Sequence, residues 1–299
     1  MFSIRSIPYK QRPALLLLFV TTLLLTISAC GSTSGDNTPK AVATVAAPSN
    51  LVTPGKLTVG LEPSYTPMEF LDPNTNDYNG FDVDLARSLA QHMNLQLEIK
   101  RTSFDTIFDD LNNKRFDVVI SGVTVNAERE AKFDFVPYFN AGESLLVHKG
   151  NPKHLKSVAD LCGLQVGVQI GTVEQADLEA ASAACKQQGK AEIKQSVLSS
   201  QTEVIQLLVE NRVDATYQDS PVTDYYNTIN PGQFEIGGPV VHAQPYGIVV
   251  RKGDSSMLDA VKNSFKALQS DGSYEGLFKK WNFTDSQKVA LSPEQPRHA

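Results

Sequence analysis

Leu111-Asn112-Asn113-Lys114-Arg115-Phe116-Asp117-Val118-Val119-Ile120 has an echo further along the chain, in Leu208-Val209-Glu210-Asn211-Arg212-Val213-Asp214-Ala215-Thr216-Tyr217. Each segment closes an apolar-periodic helix, turns through Asn and a basic residue, and enters a strand at Asp. Each strand then meets a polar cluster that opens another helix: Ser121-Gly122-Val123-Thr124 in the first and Asp219-Ser220-Pro221 in the second. The two copies lie 97 positions apart, the size of a small α/β lobe. The echo predicts two similar lobes with a cleft between them.

The pattern around the echo supports an α/β reading. Residues 56–60 read as a strand, and Phe81, Leu85, Leu89 and Met93 mark one face of a helix opened by Asp82 and Asp84. Strand 95–102, the helix of Phe104, Ile107, Phe108 and Leu111, strand 117–120, helix 127–132 and strand 144–147 follow. The second lobe is expected as strand 164–168, helix 173–188, strand 192–197, helix 201–210, strand 214–218 and a helix with Pro221 in its first turn. Strand 247–250, helix 257–268 and an amphipathic segment 272–281 end the body. Strands alternating with helices predict mainly parallel sheets covered on both faces.

The ends and the charge bound the function. Arg5, Lys10 and Arg12 precede an apolar run, Ala14 to Ile27, that is short for a membrane span. It ends at Leu25-Thr26-Ile27-Ser28-Ala29-Cys30-Gly31, which resembles a bacterial lipobox, with Cys30 lipidated after cleavage. The alternative is an ordinary secretory signal with an incidental Cys. The expected layout is a lipoprotein signal peptide at 1–29, then Cys30 and a flexible linker to residue 54. The protein is then exported and held by lipid at the outer face of the cytoplasmic membrane, or on the periplasmic side if an outer membrane is present. The chain has 27 basic and 33 acidic residues; without the three basic residues of the signal its net charge is −9. No basic stripe interleaved with aromatics is present, which argues against nucleic acid. In an exported protein, Cys162 and Cys185 are most simply one disulfide. His92, His148, His154, His242 and His298 show no ligand spacing, so neither metal nor cofactor is expected.

In parallel α/β sheets, ligands bind beyond the carboxyl ends of strands, near helix N-termini. Four such junctions carry Glu62-Pro63-Ser64-Tyr65, Ser121 through Arg129, Gln169-Ile170-Gly171-Thr172 and Gln218-Asp219-Ser220. Arg129 falls in the first turn of a helix that Asn126 is placed to cap, where a cation is mildly disfavoured unless it serves an anion. An intrahelical ion pair or a solvated charge is the alternative. Asp219 at a strand end suits an ammonium, or else caps the Pro221 helix. A carboxylate receptor on one lobe and an ammonium receptor on the other describe a site for an α-amino acid.

Gly80-Phe81-Asp82-Val83-Asp84-Leu85-Ala86-Arg87-Ser88-Leu89-Ala90 resembles the signature of the family 3 extracellular solute-binding proteins, polar amino-acid receptors of ABC importers. The likeness continues through Gly122-Val123-Thr124 with Glu128-Arg129, Phe133 to Tyr138, Gly171-Thr172, Asp219-Ser220-Pro221, Tyr246-Gly247-Ile248 and Lys279-Lys280-Trp281. The resemblance implies a two-lobed type II periplasmic-binding-protein fold with two hinge strands and the ligand in the interlobe cleft. Lobe 1 is expected at 55–147 plus 243–285, lobe 2 at 148–242, and a tail at 286–299. By the same resemblance Arg129 holds the α-carboxylate with Thr124 and the Thr172 backbone, and Asp219 holds the α-ammonium beside the Gly122 carbonyl. Tyr65 and Phe104 wall the ligand, Phe104 being alternatively a core residue; Glu62 and Gln218 select its side chain, and Gln169 is a ligand position at which relatives often differ. The implied partners are a free amino acid and a permease with its ATPase, served by a monomer. A cyclohexadienyl dehydratase-like enzyme using Glu62 as acid/base, or an extracellular sensor module, are the alternatives.

Overall fold

Residues 45–290 of the chain are described by the computed structural model. In chain order the elements are β1 (Lys56–Leu61), β2 (Ser64–Tyr65), β3 (Glu69–Leu71), β4 (Tyr78–Asn79), α1 (Phe81–His92), β5 (Gln96–Arg101), α2 (Ile107–Asn112), β6 (Val118–Val119) and α3 (Ala127–Lys132). Then come β7 (Phe133–His148), β8 (Gln165–Gln169), α4 (Val173–Gln187), β9 (Lys194–Leu198), α5 (Gln201–Val209), β10 (Ala215–Asp219) and α6 (Ser220–Ile229). The chain closes with β11 (Phe234–Ile236), β12 (Val241–Arg251), α7 (Ser255–Asp271) and α8 (Ser273–Lys280).

One sheet runs β5-β1-β6-β12-β7-β10-β8-β9, with β11 added on β7. Its outer thirds are parallel, as the alternating pattern predicts: β5, β1 and β6 on one side, β10, β8 and β9 on the other. Its middle is not. The long strands β7 and β12 are antiparallel to each other and to their neighbours. The expected strands 144–147 and 247–250 are only the ends of these two. Pro137 hid the first: proline breaks a strand pattern, and here it sits at a register shift opposite Tyr246 and Gly247, where a missing N–H is tolerated. The two strands link the parallel halves as the expected hinge strands would.

The echo is a structural repeat in atomic detail. Lys114 and Asn211, at matching positions, are both left-handed, each with φ 56°. The Asp117 N–H donates to Thr58 O at 2.9 Å, and its carboxylate accepts the Thr58 N–H at 2.8 Å. Asp214 does the same to Gln165, at 2.8 and 2.9 Å. Each Asp therefore locks the start of a central strand to its parallel neighbour.

Each half has its own apolar core. Phe81 anchors the first, packed edge-on against Phe139, Phe278 and Phe283 at 5.1–5.6 Å between ring centres. The second gathers Leu145, Val166, Val168, Leu178 and Tyr217. It is stapled by the Cys162–Cys185 disulfide, with Cα atoms 5.6 Å apart.

Pairing and hydrogen bonds cross three of the expected boundaries. Residues 143–148 pair with β10 and β11, Glu143 standing opposite Asp219. Residues 45–54, expected in the flexible linker, are hydrogen-bonded to the first half: Val45 N–H to His92 O at 2.7 Å, Asn50 to Asp254 at 2.9 Å, and Val52 N–H to Asp117 at 2.7 Å. The composition of 45–54 hides this, since the backbone supplies most of the donors. In the expected tail, Val289 N–H donates to the Tyr274 hydroxyl at 2.9 Å. The signal peptide, Cys30 and residues 291–299 lie outside the described residues.

Candidate functional site

The strand ends of both halves enclose a narrow cavity. Nine of the ten predicted ligand residues line it: Glu62, Tyr65, Phe104, Gly122, Thr124, Arg129, Gln169, Thr172 and Asp219. Gln218 does not. Side chains alternate along a strand, so Gln218 turns to the face opposite Asp219, where it bonds Thr223 and, at 3.3 Å, Gln201.

Arg129 is placed by α3. The Asn126 side chain caps this short helix by accepting the Arg129 N–H at 2.9 Å. The guanidinium donates to Thr124 O at 2.8 Å and, across the cleft, to Gly171 O at 3.3 Å. It lies 5.8 Å from the centre of the Phe104 ring and 5.2 Å from that of Phe108. Among the described residues it makes no close carboxylate pair, and Glu128, one position before it, pairs with Lys132 instead. Burial lowers its pKa, while Glu174 and Asp219 oppose that shift by favouring its charge. Phe104 proves to be both core and wall, since it lines the cavity while packing with Ile107, Leu111 and Phe116.

Asp219 occupies the N-cap position of α6, yet its side chain makes no capping bond. It accepts the Tyr65 hydroxyl at 2.7 Å instead. Burial raises its pKa to about 6, against the opposing pull of the Tyr65 hydrogen bond. Glu62 accepts from Ser64 at 2.5 Å and from the Gln169 amide, across the cleft, at 3.1 Å. Burial raises its pKa too. Thr172 caps α4 by accepting the Gln175 N–H at 3.2 Å.

Four lining residues fall outside the predicted ligand set, Glu69, Ser121, Val173 and Glu174, although Ser121 belongs to one of the four expected junctions. Glu174 matters most. It is buried in the first turn of α4, and burial followed by the nearby Asp219 charge raises its pKa. A carboxylate in a first turn reads in sequence as ordinary dipole compensation, so nothing separated it from Asp82 or Glu128. Ser121 donates to Glu69 at 2.7 Å and accepts the Glu62 N–H at 3.0 Å, fixing that end of the cavity.

Residues 57–285 match the family model of bacterial extracellular solute-binding proteins, family 3. The chain belongs to that family. It is 29% identical to the L-cystine-binding protein TcyA of Bacillus subtilis over 93% of this chain and 100% of that protein. It is 33% identical to the L-cystine-binding protein TcyJ of Escherichia coli over 78% of this chain and 85% of that one. Among solved structures, an ancestral arginine-binding protein bound to arginine superposes with a TM-score of 0.70 at 36% identity, covering 76% of this chain and 98% of that one. As a member of family 3 the chain is a solute-binding protein with the two-lobed fold of these neighbours, and these relatives are named as binding proteins, not enzymes. No helix among the described residues is long and apolar enough to cross a membrane.

Proposed function

We propose that this solute-binding protein captures a free amino acid between its lobes and delivers it to the permease of an ABC importer. One observation carries the reading. Arg129 and Asp219, from opposite lobes and of opposite charge type, line a single cavity. Arg129 with Thr124 and Thr172 takes the α-carboxylate. Asp219, joined by Glu174 and the Gly122 carbonyl, takes the α-ammonium, and Tyr65 and Phe104 cover the ligand.

The far end points to a cationic side chain. Four carboxyl groups, Glu62, Glu69, Glu174 and Asp219, line the cavity against the one cation Arg129 among the described residues. Burial raises the pKa of all four, and a ligand cation beside them would favour their ionised forms. Glu62, steered by Gln169 and Ser64, is placed to accept from a guanidinium or ammonium. Relatives named for binding histidine and arginine fit this class, whereas the two named for cystine do not call for a cationic side chain. The enzyme alternative is not favoured, because the relatives are named as binding proteins.

Closure is written in contacts across the cleft. Tyr65 to Asp219, Gln169 to Glu62 and Arg129 to Gly171 are joined by the Gln201 N–H to Ser64 at 2.8 Å and Thr202 to Ser64 O at 3.0 Å. A ligand that neutralises the carboxyls on both sides favours this closed form over an open one by its differential affinity. Lobes of about residues 55–142 plus 243–285 and 143–242 swing about β7 and β12, and lipid on Cys30 holds the monomer at the membrane. A thermal-shift screen of the twenty amino acids and cystine tests the function. A ligand at 100 times its Kd adds about 2.7 kcal/mol of stability. Arginine, lysine or histidine should give the largest shifts and glutamate none; no shift with any of them overturns the reading.

A further inference from the structure

Beside the cleft, three side chains of metal-ligating type converge from distant parts of the chain: Glu143 on β7, Asp177 on α4 and His242 on β12. None of them lines the amino-acid cavity. His242 Nδ1 lies 3.1 Å from Glu143 Oε2 and 2.9 Å from Asp177 Oδ2. The three donor atoms all fall within 4.8 Å of one another. Zinc binds imidazole nitrogen and carboxylate oxygen at roughly 2.0–2.2 Å, so donors around a tetrahedral ion stand about 3.3–3.5 Å apart. A small outward movement of His242 is enough to admit the ion.

The backbone prepares this convergence. His242 is left-handed, with φ 49°, at a register shift between Val241 and Gln244 that breaks the β7–β12 ladder. Gly142 permits the close approach: a Cβ there would lie 2.6 Å from both Val240 Cγ1 and Val241 O. Glu143 is 5% exposed, and its Oε2 also accepts the Tyr217 hydroxyl, which fixes the orientation of the carboxylate as an outer-sphere partner would. The His242 side chain is 54% exposed and that of Asp177 33%, so the trio opens to solvent on one side, where an ion enters and water completes its coordination. Two carboxylates face a single imidazole, a donor set suited to a divalent ion.

We propose that Glu143, Asp177 and His242 form a binding site for a divalent first-row transition-metal ion of the zinc class. Such an ion joins β7 and β12 to the first half of α4, the helix whose start carries Thr172 and Glu174 into the cleft. The site is separate from the proposed amino-acid site, and its test is independent of which amino acid binds.

Calorimetric titration of the metal-free purified protein with zinc chloride should give one ion bound per chain. His242→Asn keeps a residue that tolerates the left-handed backbone, and Asp177→Asn keeps the shape of a half-exposed side chain. Each should weaken zinc binding at least tenfold, with far-UV circular dichroism and metal-free melting temperature retained. His154→Ala, which removes a histidine outside the trio, should bind zinc as the wild type does. Absence of zinc binding, or wild-type affinity in His242→Asn, overturns the proposal.

Discussion

Tyr65 of the first lobe donates its hydroxyl to the Asp219 carboxylate of the second at 2.7 Å, and the same oxygen accepts the Asp219 N–H at 3.2 Å. The bond ties the lobes together at the place proposed for the ligand ammonium. It also shows why Asp219 does not cap its own helix, since the side chain is turned into the cleft.

The first prediction concerns pH. Burial holds the Asp219 pKa at about 6, against the usual carboxyl value near 4. An ammonium prefers the ionised form, so amino-acid affinity should be flat above about pH 7 and fall through pH 6. The same raised pKa means the unliganded fold binds a proton that the unfolded chain has released. Its contribution to stability is present below about pH 4 and lost as the pH rises through 6. Calorimetry between pH 4.5 and about 8 reads the affinity; an affinity that rises toward low pH would contradict the assignment of Asp219.

Arg129→Ala should weaken amino-acid binding at least tenfold. The guanidinium hydrogen-bonds the Thr124 and Gly171 carbonyls, so its removal breaks no hydrogen-bonded carboxylate pair. A charge-assisted hydrogen bond is worth about 1.5–3 kcal/mol, which corresponds to ten- to a hundredfold in affinity. Unchanged calorimetric affinity with unchanged circular dichroism would remove Arg129 from the site.

Gly171→Ala should act on closure. Gly171 has φ +78°, and a Cβ there would come 3.1 Å from the Asp105 Cα on the facing lobe. The strained backbone costs about 1 kcal/mol or more, and the contact penalises the closed state in particular. Affinity should drop severalfold, with small-angle scattering showing a more open protein at the same ligand concentration. A variant that closes and binds like the wild type would show that this approach does not limit closure.

The Cys162–Cys185 bridge spans 23 positions and ties the short 3-10 helix Val158–Leu161 to α4. Closing a loop of that size contributes about 3 kcal/mol by the chain-entropy account. Replacing both cysteines by serine should lower unfolding free energy by about that amount, measured in urea. Ligand affinity should stay within twofold, since neither cysteine lines the cavity. Free thiols in the untreated protein, found by peptide mapping, would refute the bridge.

Where local chemistry repeats, the sequence could be read directly. Asp117 and Asp214 stand in matched turns because each pins a central strand to its parallel neighbour, and that need leaves a local signature. Arg129 was visible for a related reason, as a cation at a helix start that Asn126 caps. Glu174 was not. A first-turn carboxylate is favourable in any helix, and only burial against Asp219 sets this one apart. Gln218 went the other way: it neighbours a site residue in sequence, yet strand alternation turns it from the cleft.

Period and turn chemistry by themselves determined two α/β lobes, the strand ends that carry polar groups, and opposite charges on the two sides, because these depend on residues close in sequence. Only the tertiary structure decided how β7 and β12 join the halves. Their pairing spans from Glu143 to Val241 and from Phe133 to Arg251, and it depends on long-range register rather than local pattern. The meeting of Glu143, Asp177 and His242 has the same origin. Three elements that share no spacing are brought together by a bulge, and no count along the chain could have placed that histidine between two carboxylates.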